Sequence, residues 1–312
     1  MTTVEALRVA EETLREACGD RLRTGVPMAP LTTFRIGGPA ALYLEAESQA
    51  DLTAVREAVR RADVPFVVVG KGSNLLVSDA GFAGLVLRLG KSFRWVARDG
   101  ACLSAGAAMP LPALAGVALT HGLRGLEWGV AIPASFGGAV RMNAGAHGGE
   151  LAEVLQTIEV FVVPDGTTIA IPSADAGFGY RRSSLPPNGV VTSATIRLAP
   201  GEPDEIRSRM DEVREWRRIH QPLAEPNCGS VFTNPPGDHA ARLIDEAGLK
   251  GLRIGGAAVS TKHANFIVAS PGARASDVVQ LIRAVQRAVA ARSNVHLEPE
   301  VHLLGAFDDA SI

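Results

Sequence analysis

The segment from Gly129 to Glu150, which reads GVAIPASFGGAVRMNAGAHGGE, constrains the fold more than any other part of the chain. Six of its 22 residues are glycine, although apolar runs lie on both sides of it. Glycine loses more backbone entropy on folding than other residues, so a dense run of it indicates a place that must be free of side chains. Two explanations are open: a tight loop, or a backbone that binds a flat or charged ligand through its N–H groups.

Composition and charge limit the partners of the chain. With 46% hydrophobic and 21% charged residues, its 312 residues are typical of a globular protein of two or three domains. The net charge of −2, without a basic cluster that contains aromatic residues, argues against nucleic acid. We also expect no obligate protein partner.

The cysteines and apolar runs indicate a cytoplasmic protein. Cys18, Cys102 and Cys228 are odd in number and widely spaced, so the sequence predicts neither a disulfide framework nor a metal site. The N-terminus lacks the features of a secretory signal. No apolar run approaches the ~20 residues that cross a bilayer, so we expect no membrane partner.

Helix and strand patterns are mixed along the chain. Ser48 followed by Asp51 is a capping box that predicts a helix, and residues 66–69 predict a buried strand. Apolar runs on both sides of residues 164–166 predict a hairpin. Asp238 and Ser276 are predicted helix caps. Because helices and strands do not alternate strictly, the sequence predicts an α+β fold.

The loop Gly70-Lys71-Gly72-Ser73-Asn74 follows a predicted strand, as a phosphate-binding loop does. It is not a Rossmann fingerprint, because Leu75 stands where the third glycine is needed, and it is not a Walker A motif. Alone it is equally compatible with a plain turn. Together with the segment 129–150 it suits an extended dinucleotide between two glycine-rich backbones.

Three further segments carry reactive side chains, each of which has an ordinary structural explanation as well. The arginine pair 181–182 is either a solvated pair or a grip for an anion. Ser230 is either a helix-cap or turn residue, or a positioned hydroxyl. Alternation over 295–303 predicts a strand with Glu298 and Glu300 on one face, where they repel unless one meets a cation or is protonated. Pro299 favours an exposed edge strand.

In this order, the segments closely resemble the bacterial UDP-N-acetylenolpyruvoylglucosamine reductase family, flavin enzymes that complete UDP-N-acetylmuramate for peptidoglycan. The similarity runs from about Leu31 to Gly305, and so many collinear motifs are specific although each alone is weak. The matching segments are TTFRIGGPA (32–40), GKGSN (70–74), IPASFGGA (132–139), MNAGA (142–146), GYR (179–181), GSVFTNP (229–235), LKG (249–251) and LEPEV (297–301).

The resemblance implies an FAD-binding region of the vanillyl-alcohol-oxidase (PCMH) type, made of two α+β subdomains, followed by an α+β substrate-binding domain. We place the subdomains at residues 1–88 and 89–200, the substrate-binding domain at 201–305 and a C-terminal tail at 306–312. FAD is expected to bind noncovalently, NADPH to donate hydride and a UDP-sugar to be the substrate. The implied FAD-binding residues are Gly70, Lys71, Gly72, Ser73, Asn74, Leu75, Ile132, Pro133, Ser135, Gly137, Gly138, Asn143, Ala144 and Gly145.

The resemblance also implies catalytic residues. The family's catalytic arginine, proton-donating serine and catalytic glutamate fall on Arg181, Ser230 and Glu300. The family divides by a tyrosine-bearing loop that closes over the substrate, and the 49 positions between Arg181 and Ser230 leave no room for it. The chain therefore resembles the shorter type. Substrate contacts fall on Tyr180, Asn234, Lys250 and His263.

Three positions depart from the family's pattern. Ala134 stands where glycine is common, and Thr233 stands where lysine is common, which affects one expected contact with the substrate phosphate. His147 stands where tyrosine is common. Some relatives of this flavin fold attach FAD through histidine, but the reductase family holds FAD noncovalently.

Two other functions remain as alternatives. An FAD-dependent oxidase of the same flavin fold would need the cofactor residues but not Ser230, Lys250 and Glu300 together. A nonenzymatic nucleotide-binding protein would need no catalytic residue, and a flavin absorption spectrum of the purified protein would exclude its flavin-free form.

Overall fold

The computed structural model describes residues 2–307, so residues 308–312 of the predicted tail lie outside the described residues. The helices are α1 (Thr3–Cys18), α2 (Gln49–Ala62), α3 (Leu111–Thr120), α4 (Phe136–Arg141), α5 (Pro203–His220), α6 (Ala240–Glu246) and α7 (Ala275–Ser293). The strands are β1 (Leu22–Pro27), β2 (Pro39–Ala46), β3 (Phe66–Val68), β4 (Leu75–Val77), β5 (Phe82–Leu89), β6 (Val96–Asp99), β7 (Cys102–Gly106), β8 (Leu123–Arg124), β9 (Gly145–Ala146), β10 (Gly149–Glu150), β11 (Leu155–Val162), β12 (Thr167–Pro172), β13 (Gly189–Arg197), β14 (Ala199–Pro200), β15 (Arg253–Ile254), β16 (Ala257–Val259), β17 (Ile267–Ala269) and β18 (His302–Leu304).

The chain forms two compact units. The first comprises Met1–Thr24, Ala41–Lys71 and Ala83–Trp216, and the second comprises Gly25–Ala40, Gly72–Phe82 and Arg217–Ile312. Each unit combines segments that are distant in the sequence, whereas the predicted domains are contiguous. Because compactness does not show what each part binds, the domain assignment stays a prediction.

The first unit contains two hydrophobic cores. One is built from α1, α2 and the inner strands of the sheet ordered β1-β2-β5-β3, with Leu14, Leu52 and Leu85 fully buried. The other packs α3 and α4 against the antiparallel sheet ordered β12-β11-β13-β7-β6. Strand β3 runs parallel to β5, so the loop that follows β3 begins at the carboxyl end of this pair of strands.

The second unit has one hydrophobic core between its helices and strands. Helices α6 and α7 bury Ile244, Leu281 and Ile282 against the antiparallel sheet ordered β15-β16-β17. Strand β18 pairs in parallel with β4, with His302 opposite Leu75. This pairing joins the end of the described chain to the segment 72–82.

Several local predictions in the first unit are confirmed. Ser48 accepts a hydrogen bond from the N–H of Asp51 at 3.2 Å, and the Asp51 carboxylate accepts one from the N–H of Ser48 at 3.1 Å, so the capping box is present. Strands β11 and β12 form the predicted hairpin. The strand at 66–69 is also present, but its predicted burial is wrong because Val68 is 38% exposed.

The predicted cap at Asp238 is wrong. The first N–H of α6, that of Ala240, donates instead to Asn234 Oδ1 at 3.1 Å. Asp238 is occupied by an ion pair with Arg242, four residues further along. The Asp238 carboxylate, which was predicted to accept from the first N–H groups of α6, therefore binds the guanidinium of Arg242 instead.

The predicted cap at Ser276 is also wrong. Helix α7 begins at Ala275, and the N–H groups of Ala275 and Ser276 donate to the carboxylate of Asp79 at 2.7 and 3.1 Å. A carboxylate satisfies free N–H groups and favours the positive end of a helix, so it replaces a local cap.

The alternating segment 295–303 is a strand only from His302 onward. Leu297 and Val301 are buried, and Pro299 forms an isolated bridge with Phe232. Proline has no N–H to donate, which interrupts the ladder at this point. None of the helices within residues 2–307 is both long and apolar enough to cross a membrane.

Candidate active site

A cleft of about 640 Å³, including its open mouth, lies within the first unit. Val68, Leu89 and Val191 form apolar parts of its wall. The predicted FAD-binding residues that line it are Gly70, Lys71, Ser135, Gly137 and Gly138. Cofactor sites are mostly apolar with a few fixed polar groups, and the lining of this cleft has that composition.

The charged side chains that line the cleft are all basic. They are Lys71, Arg88, Arg94 and Arg141, and no acidic residue within the described ranges lines it. In the described chain, the side chains of Lys71, Arg88 and Arg94 have neither a salt bridge nor a hydrogen bond. A cleft lined in this way attracts an anion.

The glycines of the cleft serve two different purposes. A Cβ on Gly137 would lie 2.6 Å from Cβ of Ala107, so this glycine permits close packing inside the protein. A Cβ on Gly138 would approach only Ser135 Oγ, at 3.2 Å, and would otherwise occupy the cleft. A Cβ on Gly70 would clash with the same hydroxyl. The predicted need for ligand space therefore has structural support at Gly138, whereas packing explains Gly137.

Hydrogen-bond donors remain available around the cleft. The hydroxyl of Ser135, which is 7% exposed, has no hydrogen-bond partner among residues 2–307. The backbone N–H groups of Gly70 and Lys71, which line the cleft, also have no acceptor in that range. Successive free N–H groups form an anion-binding concavity. The cradle, the free donors and the cations together fit a dinucleotide that carries a diphosphate.

Other predicted FAD-binding residues have partners in the protein. Asn143 is fully buried with a positive φ of 43°, and its amide donates to the carbonyl of Gly179 at 3.1 Å and accepts from the N–H of Ala152 at 2.9 Å. A Cβ on Gly145 would lie 2.6 Å from the facing strand at Glu150. Ala144 is buried, and Ile132 and Pro133 belong to the loop before α4. Contacts of these residues with FAD stay predictions.

The remaining members of the loop 70–75 lie in the second unit. Leu75 is the first residue of β4, and Gly72 and Ser73 precede it. Asn74 holds the segment of the predicted catalytic glutamate, because its amide donates to the carbonyl of Glu300 at 2.9 Å. The carbonyl of Asn74 in turn accepts from the N–H of His302 at 3.1 Å. Asn74 therefore positions the backbone of Glu300.

Arg181 lies in the first unit, in a tight turn with a positive φ of 56°. Gly179 and Arg182 exchange backbone hydrogen bonds of 3.1 Å around it. The Arg181 guanidinium donates to the carbonyl of Gly145 at 2.8 Å and stacks on the ring of Tyr180, 4.9 Å from its centroid. Tyr180 is 50% exposed. Positive φ is uncommon for arginine, and such strain is concentrated at functional sites.

Ser230 and Glu300 lie on neighbouring segments of the second unit. The N–H of Glu300 donates to the carbonyl of Val231 at 2.7 Å, next to Ser230. On its other side, Ser230 forms a bridge with Phe266. Burial, and next to it the charge of Glu300, raise the pKa of the Cys228 thiol, which therefore stays protonated. The structure thus brings the predicted proton donor and the predicted acid of this unit to adjacent segments.

The predicted substrate contacts of the second unit have partners inside the protein. Lys250 Nζ forms an ion pair of 2.6 Å with Asp245, and Asn234 caps α6. His263 Nδ1 accepts from the N–H of Asn265 at 3.3 Å. Burial, followed by the charges of Lys250 and His220, lowers the pKa of His263, so its ring is neutral near pH 7. Their contacts with a substrate stay predictions.

Comparison with known families first defines the class of protein. Residues 40–171 match the family model described as FAD binding domain. The chain is thus a flavoprotein, which agrees with the cleft, and the prediction of FAD is confirmed.

The chain belongs to the UDP-N-acetylenolpyruvoylglucosamine reductase family. Residues 221–304 match the model of this family's C-terminal domain. The reductase of Anaeromyxobacter dehalogenans (strain 2CP-1 / ATCC BAA-258) is 43% identical over 297 residues, which cover 95% of this chain and 89% of the relative. The reductase of Synechococcus sp. (strain JA-3-3Ab) is 41% identical over 314 residues and all of both chains.

A solved structure agrees with this assignment. The crystal structure of the reductase from Thermus caldophilus superposes with a TM-score of 0.80 at 42% identity, covering 91% of this chain and 99% of that one. The predicted family, fold class and oxidoreductase class are therefore confirmed. The roles of individual site residues stay predictions.

Arg88, Arg94 and Arg141 line the cleft but were not predicted from the sequence. Arg88 and Arg94 lie in or beside a strand, where a basic residue is ordinarily a solvated one. Arg141 stands out more clearly, because it is the one charged residue between Gly129 and Ala146. A lone cation in a run of small apolar residues was the signal that could have identified it.

Proposed function

We propose that the chain reduces the enolpyruvyl group of UDP-N-acetylenolpyruvoylglucosamine to the lactyl ether of UDP-N-acetylmuramate, with NADPH as hydride donor. The observation that carries the proposal is the basic, glycine-bordered cleft in a chain of this reductase family. A cytoplasmic location would suit a reaction that consumes NADPH and a UDP-sugar. FAD supplies hydride transfer between NADPH and the enol ether, and the protein supplies placement and electrostatics.

Arg181 would grip the substrate carboxylate. Addition of hydride to the β-carbon moves electron density towards the α-carbon and its carboxylate. A guanidinium stays charged and donates two parallel hydrogen bonds to a carboxylate. Its contacts with Gly145 and Tyr180 hold it in one orientation before a ligand arrives. A preorganised cation is worth more than a mobile one when charge develops in the transition state.

Ser230 would supply the proton to the α-carbon, and Glu300 would bind the same carboxylate as a hydrogen-bonding acid. A hydroxyl is a weak acid, but an enolate-like carbon is basic enough to take its proton. A positioned acid contributes roughly 10²–10⁴-fold to the rate. Lys250 and Asn234 would hold the UDP moiety, and Lys250 would exchange Asp245 for the diphosphate.

Anaerobic stopped-flow spectroscopy tests this proposal. NADPH should bleach the flavin absorbance of the purified protein, and the enolpyruvyl sugar nucleotide should restore it within one turnover. In a parallel experiment, air should restore it far more slowly. Rapid recovery with oxygen and none with the sugar nucleotide would instead identify an FAD-dependent oxidase.

A further inference from the structure

Arg141 is held at the cleft by an unusual set of contacts. It is the last residue of α4 and lines the cleft. Its Nη1 donates to the carbonyls of Leu185 and Pro186 at 3.2 and 2.9 Å, and its Nη2 donates to the carbonyl of Gly189 at 2.5 Å. Three carbonyls from one turn thus fix the plane of the guanidinium.

The charge of Arg141 has no counterion in the part of the chain that the structure describes. Within residues 2–307 no carboxylate forms a salt bridge with it, and its only side-chain partners are the three carbonyls. Burial lowers the pKa of Arg141, but a guanidinium remains protonated at neutral pH. A half-buried charge without an opposite charge is unfavourable, because carbonyl dipoles orient a cation but do not neutralise it.

Arg141 also keeps donors for a ligand. A guanidinium has five N–H donors, and the three hydrogen bonds leave two of them without an acceptor in the described chain. The hydroxyl of Ser135 and the backbone of Gly138, which has no side chain there, line the same cleft. These groups lie in the first unit, in the part of the chain that matches the FAD-binding domain or directly beside it.

We infer that Arg141 binds a phosphate of the dinucleotide and supplies the fixed positive charge of the FAD site. The inference rests on the proposed use of FAD and adds a cofactor-binding residue to it. The side chains of Lys71, Arg88 and Arg94 form no hydrogen bond or ion pair within residues 2–307, so each loses rotamer entropy when it binds. Arg141 is already ordered, and its contribution to affinity is therefore the largest of the four.

The test measures FAD binding to flavin-free protein by quenching of flavin fluorescence, at low and at high NaCl concentration. Arg141→Met should weaken FAD binding about 10- to 100-fold, the range expected for one charge-assisted hydrogen-bond pair. It should also make the dissociation constant less dependent on salt, because one ion pair is lost. Arg98→Met is the matched control. Arg98 also donates to a carbonyl, that of Gly100, but is exposed and lies outside the cleft.

Arg141→Lys separates the effect of the charge from that of the planar guanidinium. It replaces Arg141→Met as the test if the methionine variant does not fold. Lysine keeps the charge but loses the fork, so the salt dependence should equal that of the wild type, with affinity reduced by less than about tenfold. The inference is wrong if Arg141→Met binds FAD within twofold of the wild type. It is also wrong if either variant loses affinity with the opposite salt dependence from that stated. Failure of the wild type to bind FAD would instead contradict the proposed function.

Discussion

Among single side chains, Ser230 has the most specific proposed role, that of the proton donor. The carbonyl of its neighbour Val231 accepts a hydrogen bond from the N–H of Glu300. We expect Ser230→Ala to lower kcat by about 10²–10⁴-fold, because the proton donor is lost. Substrate binding and flavin bleaching by NADPH should be retained. Steady-state and stopped-flow kinetics measure both. Ser270→Ala, an exposed serine of the same unit, is the control, and normal turnover of Ser230→Ala would remove this residue from the mechanism.

Arg181 gives a second test at this scale. Arg181→Lys keeps the charge but loses the fork and the stacking on Tyr180, so we expect kcat/KM to fall by at least about 10²-fold. The adjacent Arg182→Lys should change it less than threefold, because Arg182 is exposed. Equal effects of the two substitutions would contradict the role of Arg181.

Among the secondary-structure elements, the short helix α4 limits how closely a ligand in the cleft can approach the backbone. Gly138→Ala should weaken FAD binding without destabilising the protein, because its Cβ would enter the cleft while alanine favours helix by about 0.5–1 kcal/mol over glycine. Gly137→Ala should destabilise the fold by about 1–3 kcal/mol, because its Cβ would overlap Ala107. Fluorescence titration and thermal unfolding separate the two effects. The reverse pattern would show that Gly138 does not face the ligand.

Elements that depend on neighbouring residues were predictable from the sequence. The capping box of α2 and the hairpin of β11 and β12 are confirmed, since each depends on residues close in sequence. The caps of α6 and α7 were not predictable, because their acceptors, Asn234 and Asp79, are 6 and 196 positions from the N–H groups they bind. The carbonyl partners of Arg141 were not predictable for the same reason, since they lie 44 to 48 positions away.

At the scale of the whole molecule, the family, the fold class and FAD were predictable, because ordered motifs spread over most of the chain carry them. What the sequence did not reveal is that both compact units are assembled from separated segments. The strand pairing that brings residues 302–304 to residues 75–77 has no local signal in either segment. Long-range pairing of this kind depends on the packing of the complete chain.

Stability towards acid is a second property of the whole chain. Burial alone would raise the pKa of Asp51, but hydrogen bonds from Arg21 and the N–H of Glu47 outweigh it, and the pKa lies below the ordinary 3.8. The unfolded chain thus binds this proton more readily, so the stability from Asp51 is complete above pH 3.8 and is lost as the pH falls through the lower folded pKa.

Urea unfolding between pH 2 and pH 7 measures this effect. Asp51→Asn should reduce the free energy of unfolding by about 1–3 kcal/mol near neutral pH, because a buried charge-assisted network is broken. The difference from the wild type should shrink at low pH. A difference that stays constant down to pH 2 would exclude titration of Asp51 as its cause.

The proposed activity of the whole chain is the NADPH-dependent reduction of an enolpyruvyl sugar nucleotide. The most direct measurement is the stoichiometry of the complete reaction without oxygen, with NADPH followed by absorbance and the sugar nucleotides by mass spectrometry. We expect one UDP-N-acetylmuramate to be formed for each NADPH consumed. Oxidation of NADPH without any lactyl ether product would contradict it.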